Sequence, residues 1–141
     1  MTQRFKHFCL QALTGDRVLV LNGEQCILSA VAEGEIVEQQ MLAPSEMYVI
    51  EELLKTYPEY CPNEVLLSAM TGQSIERCQE KVLWGQEERA VDAVMRPVRN
   101  LLGRCRMKLR PFGVEIKSLT NMGYVLIPIK GRVRAQAVAV S

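Results

Sequence analysis

The stretch EERAVDAVMRPVRNLLGRCRMK, residues 87–108, decides how this chain reads. Wound at about 100° per residue, with Arg89 set at zero, it places Val91, Met95, Val98, Leu102 and Cys105 between about 160° and 240°. These form one apolar stripe. On the same wheel Arg89, Ala93, Arg96, Arg99, Asn100, Gly103 and Arg104 fall within about 80° of zero, on the opposite side. The spacing therefore predicts a long helix that packs with one face and presents arginines and an amide with the other. Arginine offers a fixed fork of donors that matches phosphates and guanine edges, and the small Ala93 and Gly103 leave room for close approach to a duplex. Pro97 removes the amide that would bond to the Ala93 carbonyl, so a kink or local strain is expected there.

Two shorter helices are expected before it. Ser45 is placed to act as an N-cap for Met47, Ile50, Leu53 and Leu54, which recur at helical spacing until Tyr57-Pro58 stops the run. Pro62 fits a first turn leading into Val65, Leu66, Ala69 and Met70, closed by Gly72. Residues 71–86 read as a connector that contains a short helix over 74–83 and the only tryptophan, Trp84. Three helices in this order make a helix-turn-helix with an extended turn. After the long helix, Pro111-Phe112-Gly113 forms a turn. Residues 114–119 and 124–129 then read as two strands joined by Thr120-Asn121-Met122-Gly123, a hairpin whose tip and neighbouring Lys117 and Ser118 carry donors suited to sugar and phosphate.

The first forty residues read as an antiparallel sheet. RVLVL, Asn22-Gly23 and EQCIL make a hairpin around a dipeptide that tolerates positive φ, and residues 29–32 and 35–40 flank Glu33-Gly34 as a second. Residues 8–13 are expected to add a strand before Gly15.

Charge is unevenly spread along the 141 residues. The formal net charge is +1, yet residues 33–88 hold twelve acidic and three basic side chains, and residues 89–141 hold eleven basic and two acidic. The two halves either pair with each other in the fold or leave a basic surface for an anionic partner, of which nucleic acid is the first candidate. With 48% hydrophobic and 23% charged residues the composition is that of a globular domain. No apolar run is long enough to cross a bilayer and no signal-like segment opens the chain, so a cytoplasmic protein with no membrane partner is expected. Five irregularly spaced cysteines and a single histidine, His7, give neither a disulfide framework nor a metal site. No phosphate-cradling glycine loop and no nucleophile beside a base is present, so no enzyme, no catalytic residue and no cofactor is expected.

Several segments carry a family resemblance. LAPSEMYVIEELLKTYP, NEVLLSAMTG, RAVDAVMRPVRNLL and IKSLTNMGYVL together resemble the winged-helix DNA-binding domain of OmpR/PhoB-type response regulators across residues 42–127. The third is the best match, keeping Arg89, Val91, Asp92, Arg99 and Leu102 where that family's recognition-helix signature has the same residues. The resemblance implies an α+β fold: a winged helix-turn-helix with an N-terminal antiparallel sheet (1–41), a three-helix core and hairpin wing (42–129), and a basic tail (130–141). It implies a transcriptional regulator that binds double-stranded DNA as a dimer. Positions 89, 90, 93, 94, 96, 97 and 99 fall where the family meets the major groove and its phosphates, and Ser118 and Thr120 fall on the wing. Together with the helix wheel and the hairpin tip, the expected DNA-binding residues are Arg89, Ala93, Val94, Arg96, Arg99, Asn100, Arg104, Lys117, Ser118, Thr120 and Asn121. Ala90, Pro97 and Thr120 depart from the family's usual residues, so its sequence preference does not transfer. The chain is too short to add the family's receiver domain, so control is expected through abundance, through oligomerisation by the sheet or tail, or through a partner. The alternative is a protein-interaction module that uses the acidic segment 33–88, with RNA polymerase or another regulator meeting residues 71–88, where Glu76, Glu80, Glu87 and Glu88 surround Trp84.

Overall fold

Residues 5–129 are described by a computed structural model; the expected basic tail, 130–141, lies outside them. The chain opens with four antiparallel strands in the order β1-β2-β3-β4: β1 (Phe5–Phe8), β2 (Val18–Asn22), β3 (Ile27–Ala32) and β4 (Glu35–Met41). Alternation sends Leu19, Leu21, Leu28 and Ala30 into the core from one face of this sheet. The second expected hairpin is present, with Glu33 and Gly34 at φ 54° and 79° between Ala32 and Glu35.

Two expectations in the sheet are corrected. The strand expected at 8–13 is instead β1 followed by one helical turn, α1 (Gln11–Thr14), because Leu13 is buried and the Thr14 hydroxyl donates to the Arg17 carbonyl at 2.8 Å. The Asn22-Gly23 turn is longer than two residues. Asn22 ends β2, its side-chain oxygen accepts from the Glu24 and Gln25 amides, and Cys26 takes the positive φ of 55° before Ile27 pairs back to Asn22.

Helices follow. α2 (Pro44–Thr56) begins two residues earlier than Ser45 capping requires: Ala43 is the N-cap, Pro44 opens the helix, and the Glu46 carboxylate accepts from the Ala43 amide at 2.8 Å. α3 (Asn63–Thr71) ends at Gly72, which is left-handed at φ 78°. The expected connector is largely a helix of its own, α4 (Ile75–Glu87), with the Ser74 hydroxyl accepting from the Arg77 amide. Cys78 and Val82 are buried against the core. The described residues therefore carry four helices of nine residues or more, the three expected main helices and the short connector helix expected over 74–83, which is longer than expected and runs to Glu87.

The long helix, α5 (Val91–Leu109), runs uninterrupted across Pro97. Its buried residues are Met95, Val98, Leu101, Leu102, Cys105 and Leu109, each contributing about 1.5–3 kcal/mol through removal from water where the side chain is large. It starts four residues later than expected. Arg89 sits in the turn after α4 at φ 55°, off the helix, with Ala90 as N-cap.

A 3₁₀ turn at Arg110–Phe112 leads to the C-terminal hairpin, β6 (Val114–Leu119) and β7 (Gly123–Pro128). A short strand between α2 and α3, β5 (Cys61–Pro62), joins it in the order β5-β7-β6. β5 was not read from sequence, but Gly123 marks its place: a Cβ there would overlap the Cys61 carbonyl oxygen. The fold is thus mixed α+β, with an N-terminal four-stranded sheet, several helices and a C-terminal hairpin sharing one buried core.

Candidate nucleic-acid interface

The face of α5 opposite its buried stripe carries Ala93, Arg96, Pro97, Arg99, Asn100, Gly103 and Arg104, all exposed. The arginines divide into two groups. Arg96, and Arg89 in the preceding turn, have no ion-pair partner among the described residues. Arg99 is bound to Asp92, about two helical turns before it, at 2.8 Å. Asp92 and then Tyr124 of β7 hydrogen-bond the Arg99 guanidinium and hold it more firmly in its charged form.

Arg104 leaves this face. Its Nε donates to the Glu46 carboxylate of α2 at 3.2 Å, and Lys108, one turn on, donates to the same carboxylate at 2.6 Å. Glu46 is only 2% exposed. Burial pushes its carboxyl up, but the Lys108 and Ala43 hydrogen bonds, the Lys108 charge and the Arg104 hydrogen bond together hold it below its ordinary value. The tie fixes the C-terminal half of α5 against the start of α2, so Arg104 has a structural partner.

The hairpin stands beside the N-terminal half of α5. Lys117, Ser118, Thr120 and Asn121 are exposed, and Asn121 takes φ 60° at the tip. A cleft of about 230 Å³ separates the hairpin from α5, and Asp92, Arg99, Ser118, Thr120, Asn121 and Tyr124 are among its lining residues. The structure so brings Arg99 together with three of the expected hairpin residues. The tip is fixed from two sides: the Asn63 amide donates to the Met122 carbonyl at 3.1 Å, and Gln86 of α4 donates to the Asn121 carbonyl at 3.5 Å. Arg106 adds a third tie, donating to the Ile116 carbonyl.

Val94 is half-buried and faces another way. With Pro97 it lines a groove of about 550 Å³ shared with Leu67 and Met70 of α3 and Arg77, Lys81 and Trp84 of α4. Trp84 is 54% exposed, and Glu76, Glu80, Glu87 and Glu88 are exposed as well. Gly85 is buried beneath it, where a Cβ would press on Val94 and the Ala90 carbonyl.

Sequence reasoning missed Glu46, Asn63, Gln86 and Tyr124 as parts of this assembly. Glu46 had a local signal, the third helical position after a proline. Its bonds to Arg104 and Lys108, about sixty residues away, had none. No group of three or more His, Cys, Asp or Glu side chains among the described residues is placed to hold a metal ion. No helix among them is long and apolar enough to cross a membrane. Comparison with protein-family models and with curated proteins gives no match.

Proposed function

We propose that this chain is a winged helix-turn-helix regulator of transcription that binds double-stranded DNA. In this reading the outer face of α5 enters the major groove, and β6, β7 and their tip lie on the adjacent backbone or minor groove. One observation carries it: Arg96 stands unpaired on an exposed helical face between the small Ala93 and Gly103, beside a polar cleft lined by Arg99 of the helix and by Ser118, Thr120 and Asn121 of the hairpin. Arg89 and Lys117 flank that surface and have no ion-pair partner among the described residues. Asp92 holds Arg99 in a ready orientation, and a phosphate can take over the carboxylate's bonds because both groups face water.

The test is a fluorescence-anisotropy titration of duplex DNA at rising salt. Contacts from Arg89, Arg96, Arg99 and Lys117 give a log–log slope of roughly −3 to −4, and Arg96→Ala lowers its magnitude by about one. No DNA affinity at low salt overturns the reading.

A second reading has its own observation, the groove under exposed Trp84. It gives α4 a protein partner, such as RNA polymerase or another regulator, instead of or beside DNA. Trp84→Ala then abolishes capture of that partner and leaves the DNA titration unchanged.

A further inference from the structure

Three helices close on the groove of about 550 Å³ beside Trp84. α3 lends it the apolar Leu67 and Met70, and α5 lends Val94 and Pro97, each pair three residues apart and so on one flank of its helix. On α4, Arg77, Lys81 and Trp84 recur at i, i+4 and i+7 and share a flank in the same way. Trp84 is 54% exposed, which leaves a large aromatic surface in water beside an apolar recess. Recesses of roughly 300–1,000 Å³, lined by apolar and aromatic side chains with a few placed polar groups, are the form that small-molecule sites take.

The polar groups on α4 indicate what the ligand carries. The Arg77 guanidinium makes no hydrogen bond or ion pair with any described residue; only its backbone amide is engaged, by Ser74. Lys81 donates to the uncharged Gln73 side chain at 2.7 Å, and its ammonium has further donors to spare. Glu80 is the single acidic residue lining the groove, so two cations stand there against one carboxylate. Arg77 and Lys81 lie about one helical turn apart, close enough for one anionic group to accept from both. We infer that the groove binds a free small-molecule anion, an apolar chain that ends in one carboxylate. The chain lies between α3 and α5 beside Trp84, and the carboxylate meets Arg77 and Lys81. Charge complementarity selects this occupant over a cationic or neutral one of the same shape. The inference goes beyond both readings above, since it needs neither DNA nor a protein partner.

The test uses the full chain without DNA and follows the fluorescence of Trp84, which as the only tryptophan reports from the site itself. Hexanoate, octanoate and decanoate, each kept below its micelle-forming concentration, are expected to change that fluorescence saturably, with affinity rising roughly fourfold per added methylene. Decyltrimethylammonium, of equal chain and opposite charge, binds at least about tenfold more weakly. Arg77→Gln with Lys81→Gln weakens decanoate binding about tenfold, and Glu80→Gln tightens it. All three residues are exposed, so circular dichroism of these variants stays native. A failed DNA titration leaves these results untouched. No saturable change with decanoate, equal binding of decyltrimethylammonium, or an affinity indifferent to Arg77→Gln with Lys81→Gln overturns the inference. Trp84-dependent capture of a protein, with fluorescence unmoved by decanoate, gives the groove to the second reading and overturns this one.

Discussion

Replacing the buried Glu46 by glutamine leaves shape and volume almost unchanged and removes a single charge. In the native protein its two oxygens accept from the Ala43 amide, Lys108 and Arg104 at 2.8, 2.6 and 3.2 Å. Glutamine supplies one acceptor oxygen and turns its amide nitrogen, itself a donor, toward one of the cations. Stranding a fully buried partner typically costs about 3–5 kcal/mol. Arg104 is mostly exposed and Lys108 partly so, and water takes over much of their solvation, which discounts that figure. The lost charge-assisted hydrogen bonds then set the expected loss at about 2 kcal/mol, or roughly 8 °C in Tm for a chain of this size. The sign with pH follows from the lowered carboxyl. A group held below its unfolded value stabilises the fold at pH above about 4.5 and loses that contribution as pH falls through its folded value. Urea melts of wild type and Glu46→Gln, run from neutral pH down into the acid range, are therefore expected to differ at pH 7 and converge on acidification. Equal stability at pH 7, or a gap that persists unchanged in acid, refutes the assignment of Glu46 as the ion-paired anchor between α2 and α5.

Three further expectations concern packing and thiols. Gly123→Ala forces a methyl group into the Cys61 carbonyl and should cost about 1–3 kcal/mol in a urea melt; a neutral result would mean that β5 does not pair where described. Gly103→Ala, whose Cβ meets nothing within 4 Å on the exposed side of α5, should stabilise the fold by about 0.5–1 kcal/mol and weaken DNA binding by crowding the docking face; a loss of stability would contradict the helix as drawn. Burial pushes the Cys61 and Cys105 thiols up to about 12, with the Glu52 and Glu46 charges respectively adding to it. Aromatic disulfide reagents at pH 8 should therefore modify exposed Cys9 first and leave these two protected until the protein unfolds, whereas equal rates for all three would deny their burial.

The parts legible in sequence were those fixed by local periodicity. The buried stripe of α5, the stop at Tyr57-Pro58, the Gly72 cap and the Glu33-Gly34 turn each depend on residues a few positions apart. α4 was under-read because its helix carries Glu76, Arg77, Glu80, Lys81 and Trp84 on exposed positions and buries only Cys78, Val82 and Gly85, too thin a stripe to stand out. β5 is two residues long, and only the clearance at Gly123 explains it. The division of the arginines was legible only in part. A helix wheel puts Asp92 at about 300°, beside Arg99 at about 280°, so that pair was within reach of the sequence and went unread, whereas the tie of Arg104 to Glu46 of α2 is tertiary packing that no wheel shows.

In the proposed function the outer face of α5 around Arg96 and the adjoining hairpin tip meet a duplex. Amide NMR of the labelled chain titrated with duplex DNA tests it residue by residue. The expected shifts cluster on Ala93, Arg96, Asn100, Ser118, Thr120 and Asn121 and leave β2, β3 and the start of α2 unmoved. Shifts confined to the sheet or to the Trp84 groove, or none at saturating DNA and low salt, would contradict it.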